Sequence, residues 1–210
     1  IGVEPAGASC MKESLRQGKV VTLPQVNTIA DGTAVKRPGE KLFPYIQENV
    51  DEIITIDDNE LIVAFLDMVE NHKMIVENSG LLTVAALKHI KAEKKKVVSI
   101  LSGGNMDVIT LSSIVQHGLI QRDRVFTVSV LLPDKPGELA RVSSLLAEQH
   151  GNIIKLEHNQ FISINRNAAV ELRITMEAFG TEHKNQIVTA LTDAGYRPKL
   201  VKVKGTYSEM

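Results

Sequence analysis

The chain has 210 residues, 43% hydrophobic, 23% charged and 4% aromatic, which supplies apolar material for one or two packed domains and excludes a disordered chain. Lys plus Arg number 24 against 25 Asp plus Glu, so it lacks the positive excess that a nucleic-acid or anionic-membrane binder carries. The single cysteine, Cys10, cannot close an internal disulfide, and no apolar run reaches the ~18 residues of a bilayer span, so the composition predicts a soluble, cytoplasmic protein.

Ile1-Gly2-Val3 opens as a strand with no charged flank, apolar core segment or cleavage site ahead of it, so the chain is expected to start part-way through a domain of a longer polypeptide. Met11 and Leu15, four apart among Lys12, Glu13 and Arg16, predict a short helix between Gly7 and Gly18. Asn27 to Ala34 is rich in small and turn-forming residues and precedes Arg37-Pro38-Gly39, a loop held close to something. Ile53, Ile54 and Ile56 predict a buried strand, after which Asp58 or Asn59 caps a helix through Leu61, Ile62, Phe65, Leu66 and Val69 that ends near His72. Ser79 is the expected cap of a helix from Leu81 to Ile90, whose basic continuation, Lys88 to Lys96, suits a helix carboxyl end and reads as a solvated face. Val97 to Leu101 has the length of a buried strand, and Ser102-Gly103-Gly104-Asn105 leads from it into a helix through Val108, Leu111, Ile114 and Val115. Strands alternating with helices over residues 1 to 118 predict an α/β unit with a mostly parallel sheet.

The character changes at Gln121-Arg122-Asp123-Arg124, which predicts a boundary between domains at 1–120 and 124–205. Val125 to Leu132 reads as a strand, Pro136-Gly137-Glu138 opens a helix, and Gly151-Asn152 turns into a strand with Ile153, Ile154 and Leu156. A strand over Ala168 to Met176, a helix over His183 to Ala194 ended by Gly195, and a strand over Tyr196 to Val203 complete a ferredoxin-like α+β order. Val128, Val130, Leu132 and Leu172 are expected to give the uncovered sheet face an apolar surface for another copy.

The Ser102-Gly103-Gly104-Asn105 turn exposes backbone N–H groups ahead of a helix, a setting suited to an anion or a heterocycle. In order, Gly2-Val3-Glu4-Pro5, Thr28-Ile29-Ala30-Asp31-Gly32, Val76-Glu77-Asn78-Ser79-Gly80 and Leu101-Ser102-Gly103-Gly104-Asn105 resemble the second half of the catalytic domain of threonine dehydratases (threonine ammonia-lyases), with much in common with serine racemases and serine dehydratases. The resemblance implies a tryptophan-synthase-β-like fold and pyridoxal phosphate as cofactor. It implies that Ser102 faces the pyridine nitrogen, that the backbone at Gly32 closes around the ring, and that Glu77 lies near the pyridine side. It also implies threonine as substrate, 2-oxobutanoate and ammonia as products, and serine as a slower substrate. A serine rather than an aspartate leaves the pyridine nitrogen largely unprotonated, which suits elimination of a β-hydroxyl. Related enzymes bind a metal where Glu4 and Ala8 stand, but Cys10 replaces the acidic ligand, so no metal is expected. No lysine, Lys12, Lys19 and Lys36 included, has the family's Schiff-base setting, so this segment has no catalytic residue of its own and is expected to be inactive alone.

Residues 124 to 203 resemble an ACT domain, through Asp134-Lys135-Pro136-Gly137-Glu138-Leu139 after the first strand and Gly151-Asn152-Ile153 before the second. This implies an allosteric amino-acid effector held near Asp134, Gly137, Leu139 and Asn152, in a homo-oligomer, dimer or tetramer. Two alternatives stand beside the dehydratase: a non-catalytic amino-acid sensor and a serine racemase, the latter disfavoured by the appended domain. The six histidines lie apart and read as structural or solvated.

Overall fold

The computed structural model describes residues 1–159 and 170–201. They divide into two compact units, Ile1–Val115 and the residues from Gln116 on. The first holds β1 (Gly2–Pro5), α1 (Cys10–Gln17), α2 (Phe43–Asn49), β2 (Ile53–Ile56), α3 (Asp58–Asp67, prolonged by a π turn to His72) and α4 (Leu82–Ala85, prolonged by a 3-10 turn to His89). A further helix, α5 (Val108–Gln121), runs through the boundary. β1 and β2 pair in parallel, Gly2 opposite Ile53 and Pro5 opposite Ile56. One apolar stripe of α3, Leu61, Phe65 and Met68, packs with Ile56, Leu81, Leu82 and Ile114 in the core.

Local chemistry explains the ends of these elements. α1 stops at Gly18, whose φ of 67° is the left-handed conformation that glycine adopts without strain. α3 is capped at Asp57, one residue ahead of the expected Asp58 or Asn59, with the Glu60 carboxylate accepting the Asp57 N–H at 3.4 Å. Asp58 is drawn elsewhere: its carboxylate accepts the Thr28 hydroxyl at 2.6 Å and the Ile29 N–H at 3.0 Å.

Two expectations need correction. The helix after Ser79 is only α4 and its 3-10 turn, and no side-chain hydrogen bond from Ser79 caps it. Val97 to Leu101 forms no strand, and Val98 is 88% exposed. An apolar run becomes a strand only where a neighbour takes up its backbone groups, and among the described residues β1 and β2 pair only with each other.

The second unit comprises β3 (Val125–Leu132), α6 (Glu138–Glu148), β4 (Asn152–Asn159), β5 (Val170–Glu177), α7 (Thr181–Asp193) and β6 (Lys199–Val201). The sheet is antiparallel in the order β4-β5-β3-β6, the ferredoxin-like arrangement. Ala168, Ala169, Lys202 and Val203, expected as strand ends, lie outside the described residues. Val128, Val130, Leu132 and Leu172 are buried with Val142, Leu146, Ile187 and Leu191 of the helices. They form the core, so the expectation that they face another copy is corrected. Period-2 alternation defines two faces, and the helices cover the apolar one: the other face carries Thr127, Ser129, Arg173 and Thr175. There Ser129 donates to Glu171 at 2.6 Å and Thr127 bonds Thr175 at 2.9 Å.

Candidate functional site

Three separate stretches, residues 27–33, 76–80 and 101–105, meet in the first unit. The Asn78 side-chain amide donates to the Ile29 carbonyl at 2.9 Å, which ties the second stretch to the first. A Cβ added at Gly32 would lie 2.9 Å from Ser79 Oγ and 3.5 Å from Glu77 Oε1. Glu77 links the second stretch to the third: its N–H donates to the Gly103 carbonyl at 3.4 Å, and its Oε2 accepts the Asn105 N–H at 3.2 Å. A Cβ on Gly80 would sit 2.0 Å from the Ser102 carbonyl oxygen. Each close approach depends on a missing side chain.

Gly32 and Ser102 are exposed and Glu77 is half-buried, so the cluster opens outward. At its floor Asn78 Oδ1 and Ser79 Oγ are buried with no hydrogen-bond partner. Buried polar atoms without partners cost about 1–3 kcal/mol each, so a fold retains them where something else engages them. The Glu77 carboxylate packed over Gly103, the Ser79 hydroxyl beside Gly32 and the unengaged Asn78 Oδ1 together fit a polar heterocycle. The sequence reading singled out Gly32, Glu77 and Ser102; it missed Ser79, read as a helix cap, and Asp58, read the same way. Ser79 carried one signal, its place between Asn78 and Gly80 in the third motif.

Glu4 has a different task. Its two carboxylate oxygens accept the N–H groups of Met11 and Lys12, both at 2.8 Å, and so close the first turn of α1. Burial raises its pKa, with the two backbone bonds opposing, and burial together with Glu4 raises that of the Cys10 thiol. Ala8 is buried beside them. Gly7 also went unnoticed in the sequence: a Cβ there would lie 1.6 Å from the Asn27 carbonyl oxygen, which accepts no side chain in that space. Among the described residues no group of three or more His, Cys, Asp or Glu is arranged to hold a metal ion.

In the second unit Gly137 takes φ of 92° at the start of α6, with open space above it, and Asp134 and Leu139 are exposed there. Asn152 lies at the other end of the sheet, opposite Glu177 and so level with Val125, and its amide donates to Glu177 at 2.8 Å. β3 runs from Val125 to Leu132 between the two places, roughly 23 Å at ~3.3 Å per residue. One copy of the chain therefore does not bring Asp134 and Asn152 together.

Residues 1–103 match the family of pyridoxal-phosphate dependent enzymes, and residues 126–195 match the ACT domain. The chain is 37% identical over 204 residues to an L-threonine ammonia-lyase of Geobacter sulfurreducens, covering 96% of this chain and 51% of that protein. It is 30% identical over 202 residues to an L-threonine ammonia-lyase of Thermotoga maritima, covering 96% and 50%. It thus spans about half the length of these curated relatives. Among solved structures, the processed form of threonine deaminase isoform 2 from Solanum lycopersicum aligns with a TM-score of 0.50 and 35% identity, over 55% of this chain and 35% of that one. The two matches lie in chain order on the two units described above: residues 1–103 are similar to pyridoxal-phosphate dependent enzymes, and residues 126–195 behind them are similar to the ACT domain.

Proposed function

We propose that this chain is part of a pyridoxal phosphate-dependent threonine dehydratase, also acting on serine, whose ACT domain makes its turnover responsive to an amino acid. The observation that carries this reading is the meeting of Gly32, Glu77, Ser79 and Ser102-Gly103 in one cluster. When bound, the cofactor supplies an electron sink for negative charge at the substrate α-carbon, which permits loss of a β-hydroxyl. Gly32, Glu77 and Ser102 hold the ring: the Gly32 backbone, packed against Ser79 and Glu77, closes around it, Glu77 fixes the Gly103–Asn105 backbone, and Ser102 offers the nitrogen a neutral hydroxyl. The Ser79 hydroxyl, whose Oγ is buried and unengaged, is a further polar contact.

In this reading the Schiff-base lysine lies in the longer protein, to which the activity belongs; Lys12 donates to Thr55 at 3.3 Å, and Lys19 and Lys36 are exposed. Effector binding involves Asp134, Gly137 and Leu139 at one end of the ACT sheet and Asn152 at the other, so an effector touching both ends lies between two copies. This part of the reading requires a homo-oligomer. The enzyme is read as cytoplasmic; no helix of the described residues is long and apolar enough to cross a membrane.

Expression of the full-length gene tests the reading. The full protein should convert threonine to 2-oxobutanoate and retain pyridoxal phosphate through gel filtration, with one lysine labelled after borohydride reduction. The 210-residue chain should do neither. A full protein that binds amino acids without turning them over would make this a sensor, and one that racemises serine faster than it releases ammonia would make it a racemase.

A further inference from the structure

The loop that carries Gly32 has few restraints of its own, since residues 27 to 34 contain no regular element beyond the 3-10 turn Asp31–Thr33. Its position is imposed from outside. Asp58 stands at the first position of α3, yet the cap of that helix is completed by Asp57 and Glu60, which leaves the Asp58 carboxylate to reach across to the loop. Oδ1 accepts the Thr28 hydroxyl at 2.6 Å, and Oδ2 accepts the Ile29 N–H at 3.0 Å.

From Thr28 the restraint passes along the chain to Gly32. The Thr28 hydroxyl has one proton, and giving it to Asp58 leaves the oxygen's lone pairs to accept the Ala30 N–H at 3.1 Å. Ala30 is fully buried, and its carbonyl accepts both the Thr33 N–H and the Thr33 hydroxyl at 3.0 Å, which closes the turn containing Asp31 and Gly32. The Asn78 amide holds the Ile29 carbonyl as well, so the segment ahead of Gly32 is gripped by α3 and by the 76–80 stretch together. The fit at Gly32 is close, with Ser79 Oγ 2.9 Å from the place of a Cβ. A binding site of this kind works while its backbone stays within roughly 0.5 Å of the productive position.

We propose that Asp58, acting through Thr28, is a positioning residue for the cofactor: it fixes the backbone at Gly32 that closes on the ring, and it acts on the ring only through that backbone. A charged acceptor that takes two donors at once holds them more firmly than a neutral one. An asparagine in its place keeps one acceptor oxygen and turns an NH2 toward the other donor. Naming the ring as pyridoxal phosphate rests on the dehydratase reading, whereas the hold of Asp58 on Gly32 belongs to the 210-residue chain.

Thr28→Val keeps the shape of the side chain and removes both of its hydrogen bonds; Thr28→Ser keeps the hydroxyl. Ile53→Val, a core change in β2 away from these bonds, controls for a general loss of stability. In the 210-residue chain, hydrogen exchange of the Thr33 amide, on the far side of Gly32, should accelerate at least tenfold in Thr28→Val and in Asp58→Asn, and less than twofold in Thr28→Ser and Ile53→Val. The double variant should exceed the stronger single one by no more than twofold, because the two residues lie on one path. In the full-length protein, Thr28→Val and Asp58→Asn should loosen pyridoxal phosphate at least fivefold, with Thr28→Ser and Ile53→Val within twofold of the unaltered protein. The proposal is overturned if Asp58→Asn leaves the Thr33 amide unchanged, if Ile53→Val accelerates it as much, or if exchange rises while cofactor affinity stays the same. Accelerated exchange in the chain beside a full-length protein that holds no pyridoxal phosphate would remove the dehydratase reading and leave the positioning of Gly32 by Asp58 standing.

Discussion

The Glu77 carboxylate fills the space that a side chain at Gly103 would need. A Cβ built there lies 2.0 Å from Glu77 Cδ, and Gly103 has φ of 80° as well, so both the backbone and the packing demand glycine. Gly103→Ala should lower the stability of the first unit by about 2–4 kcal/mol, because the strained φ adds to the overpacking. Gly104→Ala, with no atom within 4 Å and no positive φ, should change it by less than ~0.5 kcal/mol. Urea denaturation midpoints of the two variants measure the contrast, and equal midpoints would remove the steric argument.

Ser79→Ala should act in opposite directions on stability and function. It deletes a buried hydroxyl that has no partner, so it should stabilise the 210-residue chain by about 1 kcal/mol. In the full-length protein it should weaken the cofactor or substrate contact that engages this hydroxyl. Thermal melting of the chain and cofactor titration of the full protein read the two effects, and a destabilised chain would show that the hydroxyl already has a partner.

For Ser102 the expectation is purely functional. The residue is exposed in this chain, so Ser102→Ala should leave its melting temperature unchanged. In the full-length protein the variant should loosen pyridoxal phosphate by roughly fivefold, the worth of one hydrogen bond of ~1 kcal/mol. Ser102→Asp should retain cofactor and turn over more slowly, because it favours a protonated ring. Unaltered affinity in Ser102→Ala would move this residue away from the pyridine nitrogen.

Asp58 ties α3 to the loop before Gly32 through Thr28 and Ile29. Asp58→Ala removes a charged acceptor from both and should cost about 1–3 kcal/mol. The clearest readout is hydrogen exchange of the Ile29 amide, which should speed up strongly while amides of α6 stay protected. Uniform change across both units would mean that the bond does not act locally.

At Asp123 partial burial works against ionisation, but hydrogen bonds from Lys184 and Thr181 and the Lys184 charge outweigh it, so the carboxyl sits below its ordinary range. A carboxylate whose folded pKa is lowered contributes stability above its unfolded pKa and loses it as pH falls through the folded value. Asp123→Asn should therefore cost up to ~1 kcal/mol at pH 7, Asp123 being 26% exposed, and the difference from the unaltered chain should vanish in strong acid. Chemical denaturation at pH 7 and near pH 3 tests the sign, and a gap that widens in acid would reverse it.

How far the molecule was legible depended on whether the cause lay in neighbouring residues. Period and punctuation placed α1, α3 and the whole β3-to-β6 order, because an apolar stripe and a terminal glycine act within a few positions. They failed at Val97–Leu101, where strand formation depends on a neighbour that the sequence does not display, and at Val128–Leu132, where alternation defines two faces without saying which one the helices cover. In the site, glycines and Glu77 stood out by motif, whereas Asp58 and Ser79 resembled ordinary helix caps until the contacts of the loop at Thr28 and Gly32 were known. Asp134 and Asn152 look like partners in the sequence because both sit beside turns, yet strand register separates them by the length of the sheet.

The parallel register of β1 on β2, Gly2 against Ile53, has a kinetic consequence. The chain between them must be gathered in before a single ladder bond forms, so the entropy of closing that long loop is spent ahead of any reward. The Asp58 bonds to Thr28 and Ile29 divide the loop into two shorter ones and reduce what must be closed at once. Refolding of the first unit should accordingly be limited by the encounter of these distant segments rather than by helix formation, which runs orders of magnitude faster.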